Sequence, residues 1–171
     1  MLGTYSLERI NVLVVDGNWH MRKLIGTMLQ GFGIQNVEFV TDGREAMRKM
    51  LIFNADIVIC EFQLDHVDGV ELARNIRRAK KKVAPYLPII MITGHVDESN
   101  ITAARDAGVS AIVAKPVSAK VVFGRIVQLI ENSRQFIRSP SFRGPDRRNR
   151  DLSLDPLAQQ RRVSDGNENV A

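Results

Sequence analysis

The stretch "DIVICEFQLDHVDG", Asp56–Gly69, puts an unbroken apolar run, then an acid, then a polar loop in a single short segment. A strand with one wet face alternates apolar and polar residues. A continuous run such as Ile57–Cys60 marks a strand covered on both faces, the habit of parallel sheets. Four companions follow the same rule: "NVLVV" (11–15), "NVEFV" (36–40), "PIIMIT" (88–93) and "AIVA" (111–114). Helical spacing separates them. Met21, Leu24, Ile25, Met28 and Leu29 share one face behind a candidate N-cap, Asn18. Ala46, Met47, Met50 and Leu51 mark a second helix, and Val70, Leu72, Ala73 and Ile76 a third. A fainter pattern at Ser99–Ala107 ends at Gly108, and Ser118 caps a last helix striped by Val122, Ile126, Leu129 and Ile130. Alternating β and α units predict an α/β domain with a doubly wound parallel sheet.

In that architecture chemistry collects beyond the carboxyl ends of the strands. Asp16 follows the first strand, Glu61 the third, Thr93 ends the fourth and Lys115 follows the fifth. Two acids, a hydroxyl and an ammonium on one sheet edge predict a compact polar cluster. Trp19, just past the first strand, is expected to pack over it. His20, His66 and His95 lack metal-ligand spacing, and no nucleophile–base set or glycine-rich phosphate loop occurs. No catalytic residue and no metal site is expected, and hence no enzyme.

Composition sets the outer bounds. The chain has 171 residues with 44% apolar content, enough for one ordinary domain and an appendage. One cysteine, Cys60, cannot form an internal disulfide, which fits a reducing compartment. The start, "MLGTYSLERI", lacks a basic segment followed by an apolar run, and no run nears the ~20 apolar residues of a membrane span. A monomeric cytoplasmic protein with no membrane partner is expected. Of the net charge of +5, residues 1–133 hold +2 and residues 134–171 hold +3. The two spans also differ in pattern: 134–171 is rich in Arg, Ser, Pro, Gly, Asn and Asp, a composition that predicts a flexible, disordered C-terminal extension.

The combination "LVVD", "DIVICE…DG", "IMITG" and "VAKP" in this order resembles the CheY-like receiver domains of bacterial response regulators over residues 9–133. The resemblance implies a flavodoxin-like (βα)5 fold with strand order 2-1-3-4-5. It also implies an acceptor aspartate phosphorylated with Mg²⁺ held by an acidic pair, and a Thr/Ser and a Lys contacting the phosphoryl group. Asp16, Thr93 and Lys115 match. The second acid of the pair is Gly17, the acceptor position is Glu61, the aromatic switch position is Ile112, and Asp65 stands for a common proline. Mg²⁺ demands octahedral oxygen ligands. A carboxylate one methylene too long misplaces the nucleophile, where about 1 Å can cost ~100-fold. The site therefore reads as a degenerate phosphorylation site of a pseudo-receiver, with no Mg²⁺ expected. Either Glu61 holds an active-like state or the site has simply decayed. A conventional phosphorylation-dependent receiver is the reading that Glu61 and Gly17 oppose.

The extension has its own signature. Arg134–Arg150 holds six arginines, one aspartate and no lysine. Generic polyanion binding does not need the planar fork of arginine, whereas guanine recognition does: Arg forks onto O6 and N7 and stacks on bases. Asp146 can accept from guanine N–H donors, Gly144–Pro145 suits a turn, and Phe142 offers a stacking face. "RSPSFRGPDRR", Arg138–Arg148, resembles the arginine-rich extension of the CheY-like cyclic di-GMP effectors, the Cle family. The resemblance implies a cyclic di-GMP site at about 134–151, built on Arg138, Phe142, Arg143, Gly144, Asp146, Arg147 and Arg148 and taking the ligand as an intercalated dimer. It further implies docking on the flagellar motor switch or another signalling protein through helix four, strand five and helix five. A tail that binds nucleic acid is the alternative, and no nucleic acid is expected under the main reading.

Overall fold

A computed structural model describes residues 7–80, 83–131 and 136–145. Five strands form one parallel sheet in the order β2-β1-β3-β4-β5: β1 (Asn11–Val15), β2 (Asn36–Val40), β3 (Ile57–Glu61), β4 (Ile89–Thr93) and β5 (Ala111–Ala114). This is the (βα)5 order expected from the sequence. The helices are α1 (Trp19–Gly31), α2 (Gly43–Lys49), α3 (Gly69–Arg78), α4 (Glu98–Asp106) and α5 (Ala119–Glu131).

Strand side chains alternate between two cores, which is why the strand sequences themselves show no polar alternation. Leu13, Val58, Cys60, Ile89 and Met91 face α2, α3 and α4. Val12, Val14, Ile59, Ile90, Ile92 and Val113 face Ile25 and Leu29 of α1 and Val122 and Ile126 of α5. The helix starts are set by short polar caps. Asn18 accepts from the amides of His20 and Met21, as its sequence position predicts, and Asp42, Asp68 and Asp97 cap the next three helices.

Some boundaries differ from expectation. The third strand runs one residue beyond the Ile57–Cys60 run, and Asp56, just before it, accepts the Asn11 amide through its carboxylate at 2.8 Å. Glu61 is the last residue of the strand. Leu24, Leu51 and Ile130, assigned to helix stripes by spacing, are partly exposed, and Leu51 lies past the end of α2. Trp19 opens α1, with more than half its surface exposed. It stacks edge-on against His20 and under the Lys23 ammonium, and does not wall the polar cluster.

The composition of the extension predicts flexibility, yet residues 136–145 form a two-stranded antiparallel hairpin, β6 (Phe136–Arg138) with β7 (Arg143–Pro145). Ser139 closes its turn: its amide donates to Phe142 O at 2.8 Å, and its hydroxyl accepts the Phe142 amide at 3.0 Å. The domain supplies the apolar partner that the extension lacks. Phe136 meets Tyr86 edge-to-face and lies over the guanidinium of Arg77. Gly144 of β7 packs directly on Gly108, where a Cβ on Gly144 would sit 2.7 Å from the Gly108 Cα. Only glycines permit that approach of two backbones.

Arg77 is the hub of this contact. It is 2% exposed and has no carboxylate partner among the described residues. Its guanidinium donates instead to the carbonyls of Gly108, Pro85 and Leu87, at 2.7–3.0 Å. Burial pulls its pKa down to about 10, so it stays charged at neutral pH. Replacing it by Met strands these three carbonyls, and each charge-assisted bond is worth roughly 1.5–3 kcal/mol. Arg77→Met is expected to lower unfolding stability by about 3 kcal/mol in urea titration. It should also speed amide exchange at Ile137 and Gly144, since the hairpin loses its platform.

Candidate functional site

Parallel pairing fixes where the strands end, and the polar residues follow from it. Asp16 leaves β1, Glu61 ends β3, Thr93 ends β4 and Lys115 leaves β5, all on the carboxyl edge. A cavity of about 230 Å³ opens there, walled by Asp16, Gly17, Glu61, Gln63, His95 and Lys115 among others. Gly69 permits the close return of α3 to this edge, since a Cβ on it would meet the Glu61 carbonyl oxygen.

Glu61 is fully engaged. Its Oε1 accepts the amides of Phe62 at 2.7 Å and Gln63 at 3.3 Å, and its Oε2 is paired with the Lys115 Nζ. The extra methylene lets the carboxylate fold back on its own turn while touching the lysine. Asp16 accepts the Asn18 amide through Oδ1 at 2.7 Å, but its buried Oδ2 has no hydrogen-bond partner among the described residues. Burial raises the Asp16 pKa, against the pull of that hydrogen bond and with a further push from Glu61. Arg22 caps the same turn by donating to the Asp16 carbonyl at 2.6 Å.

Of the four residues expected to cluster, the structure brings Asp16, Glu61 and Lys115 to one wall and leaves Thr93 off it. The Thr93 hydroxyl is taken up by its own turn, accepting the His95 amide at 3.0 Å and facing the His95 carbonyl at 3.1 Å. His95, unremarkable in the sequence, lines the cavity instead. Its position follows from the "ITGH" turn, and no spacing rule would have found it.

The donor set does not fit a Mg²⁺ ion. Gly17 offers no side-chain oxygen, one Glu61 oxygen holds two amides and the other is paired with Lys115, and among the carboxylates of the described residues lining the cavity this leaves the Asp16 Oδ2 to ligate. The backbone does not require the glycine: a Cβ at Gly17 would meet only Thr41 O, at an ordinary 3.7 Å. The missing acid is thus a matter of chemistry and not of space.

The arginine-rich segment lies at the opposite end. Phe142 and Arg143 line a groove between the hairpin and the carboxyl ends of α3 and α4. Gly144 is buried against Gly108, and Arg138 pairs with Arg143 by strand register. Asp146, Arg147 and Arg148 lie outside the described residues.

Residues 12–127 match the model of the response regulator receiver domain. The chain belongs to this family. It is 28% identical to the chemotaxis protein CheY of Pseudomonas aeruginosa over 122 residues, which is 71% of this chain and 97% of that one. It is 26% identical to chemotaxis protein CheY-3 of Vibrio cholerae, covering 72% and 94%. Among solved structures it superposes on the receiver domain of a sensor histidine kinase from Pseudomonas aeruginosa PAO1, with a TM-score of 0.62 and 27% identity over 70% of this chain and 94% of that one. That relative carries a magnesium ion coordinated in its active-site cleft. The family match ends at residue 127, before the hairpin begins.

The Asp16 burial gives a signed pH prediction. A carboxyl whose folded pKa is raised favours folding when protonated, and this contribution is lost as pH rises through the folded value. Asp16→Asn keeps the acceptor for the Asn18 amide and removes the buried charge. It should raise the urea midpoint at neutral pH, and the advantage should shrink as pH falls toward the ordinary carboxyl range.

Proposed function

We propose that this receiver is a signalling adaptor that responds to cyclic di-GMP and not to phosphorylation, and that it then engages a partner protein, the flagellar motor switch being the reading we favour. The observation that carries the proposal is the docked hairpin. It holds the Phe142 ring and the Arg143 guanidinium in a groove, and in the sequence Asp146–Arg147–Arg148 follow directly on its last residue, Pro145. Guanine offers a flat face for Phe142 and for arginine stacking, and an O6/N7 edge for an arginine fork. Two guanines and two phosphates in one ligand, or an intercalated pair of ligands, use an all-arginine segment better than a nucleic-acid backbone does.

The state of the other end supports the same reading. Lys115 is committed to Glu61, so one of the phosphoryl contacts expected of the family is already made, while Thr93 is turned to His95 and leaves the other unmade. With Ile112 at the position expected to be aromatic, no ring follows Thr93. A switch built on the extension replaces one built on phosphate. For the partner, the reading takes the face of α4, β5 and α5 that the family resemblance implies. The groove adjoins this face at the carboxyl end of α4, through Asp106 and Ala107.

Two experiments test the reading. Incubation with a small-molecule phosphodonor and Mg²⁺ should leave the intact mass of the parent unchanged. Gly17→Asp combined with Glu61→Asp, which restores the missing carboxylate and shortens the long one to its usual length, should gain a phosphoryl group. A phosphoryl adduct on the parent would show that Glu61 is no barrier. Calorimetry of the full chain with cyclic di-GMP tests the messenger itself. Arg147→Lys with Arg148→Lys keeps the charge but loses the forks, each worth ~1–3 kcal/mol, so affinity should fall at least about tenfold. Asp146→Asn should also weaken binding, although it makes the extension more basic. If the lysine pair binds as the parent does, the arginines act only as charges and guanine readout is wrong.

A further inference from the structure

The groove beside the hairpin has a second wall that belongs to the receiver itself. Its volume is about 570 Å³, within the roughly 300–1,000 Å³ span of small-molecule sites. Arg74 and Arg78 stand one turn apart on the outer side of α3, and Lys80 follows them. Arg143 and Phe142 face them from the hairpin, and Asp106 of α4 is the one acid of the wall.

Basic residues in the last turn of a helix ordinarily neutralise its carbonyl end. Of the two arginines in the last turn of α3, Arg77 is turned inward, with its N–H groups on the Gly108, Pro85 and Leu87 carbonyls, and Arg78 stands outward. Arg74, Arg78 and Lys80 are exposed, and neither they nor Arg143 is ion-paired to another described residue. Four cations thus converge on one concavity with a single carboxylate among them and an aromatic ring at its rim. That is the chemistry of a phosphate-bearing ligand with a flat base: guanidinium forks for the phosphate oxygens and a ring face for stacking.

Resting on the cyclic di-GMP reading above, we infer that the receiver is half of the ligand site: Arg74 and Arg78 of α3 hold ligand phosphate across the groove from Phe142 and Arg143. The extension is then not a self-sufficient binding segment. The ligand bridges hairpin and domain, so it favours the docked hairpin over any undocked one. The contact of Gly108 with Gly144 sets the width of the groove: a Cβ on Gly108 would lie 2.6 Å from the Arg143 carbonyl oxygen and push β7 outward.

The test is calorimetry of the full chain with cyclic di-GMP at near-physiological salt, where the Debye length of about 8 Å screens remote charges. Arg74→Gln with Arg78→Gln should weaken binding by at least about tenfold. Arg44→Gln with Arg48→Gln removes the same charge from an equally spaced exposed pair on α2, away from the groove, and should stay within about twofold of the parent. Gly108→Ala, with its fold checked by circular dichroism, should also weaken binding although no charge and no residue of the extension is altered. Parent-like affinity in Arg74→Gln/Arg78→Gln, or an equal loss in the α2 control, overturns the two-sided site while leaving the proposed messenger intact. A parent chain that does not bind cyclic di-GMP overturns both.

Discussion

A guanidinium buried at 2% exposure with no acid paired to it among the described residues must be met by backbone carbonyls, and Arg77 meets three of them from two different loops. Leaving any such group unpaired in the interior costs about 1–3 kcal/mol, so the loops before β4 and β5 are held where the fork needs them. Gly108, with φ of +86°, sits in one of these loops and offers the flat backbone against which Gly144 packs. Phe136 lies over the same guanidinium. The docking of the extension therefore rests on a single cation whose partners come from distant parts of the sequence.

The two polar regions stand at opposite edges of the sheet, separated by the length of a five-residue strand, about 17 Å. Helix α4 touches both regions. Near its start, Asn100 reaches Asp97 and the His95 carbonyl, beside the cavity that holds Glu61 and Lys115. At its other end, Asp106 and Ala107 wall the groove. A single helix thus contacts both regions and borders the α4–β5–α5 face.

At the carboxyl edge, two residues depart from the acidic pair and acceptor that the family resemblance implies. One methylene more at Glu61 brings its carboxylate to Lys115 while two amides hold it back. One carboxylate fewer at Gly17 leaves Asp16 with a buried oxygen that has no hydrogen-bond partner among the described residues. Neither change strains the backbone, and the sheet order of the family is kept.

Strand runs, helix stripes and the caps at Asn18 and Gly108 are local, so the sequence by itself determined the (βα)5 architecture and the edge on which Asp16, Glu61, Thr93 and Lys115 fall. The identities at positions 17 and 61 were legible for the same reason, since a carboxylate that is absent or too long needs no coordinates to be noticed. Side-chain direction was not legible: Thr93 turned to His95 and Trp19 turned to solvent, because rotamers answer to neighbours in space. Nor was the hairpin. Residues 136–145 have too little apolar surface to fold alone, and only the tertiary structure decided their fate. It did so by placing Tyr86, Arg77 and Gly108, from three separate segments, where Phe136 and Gly144 could bury against them.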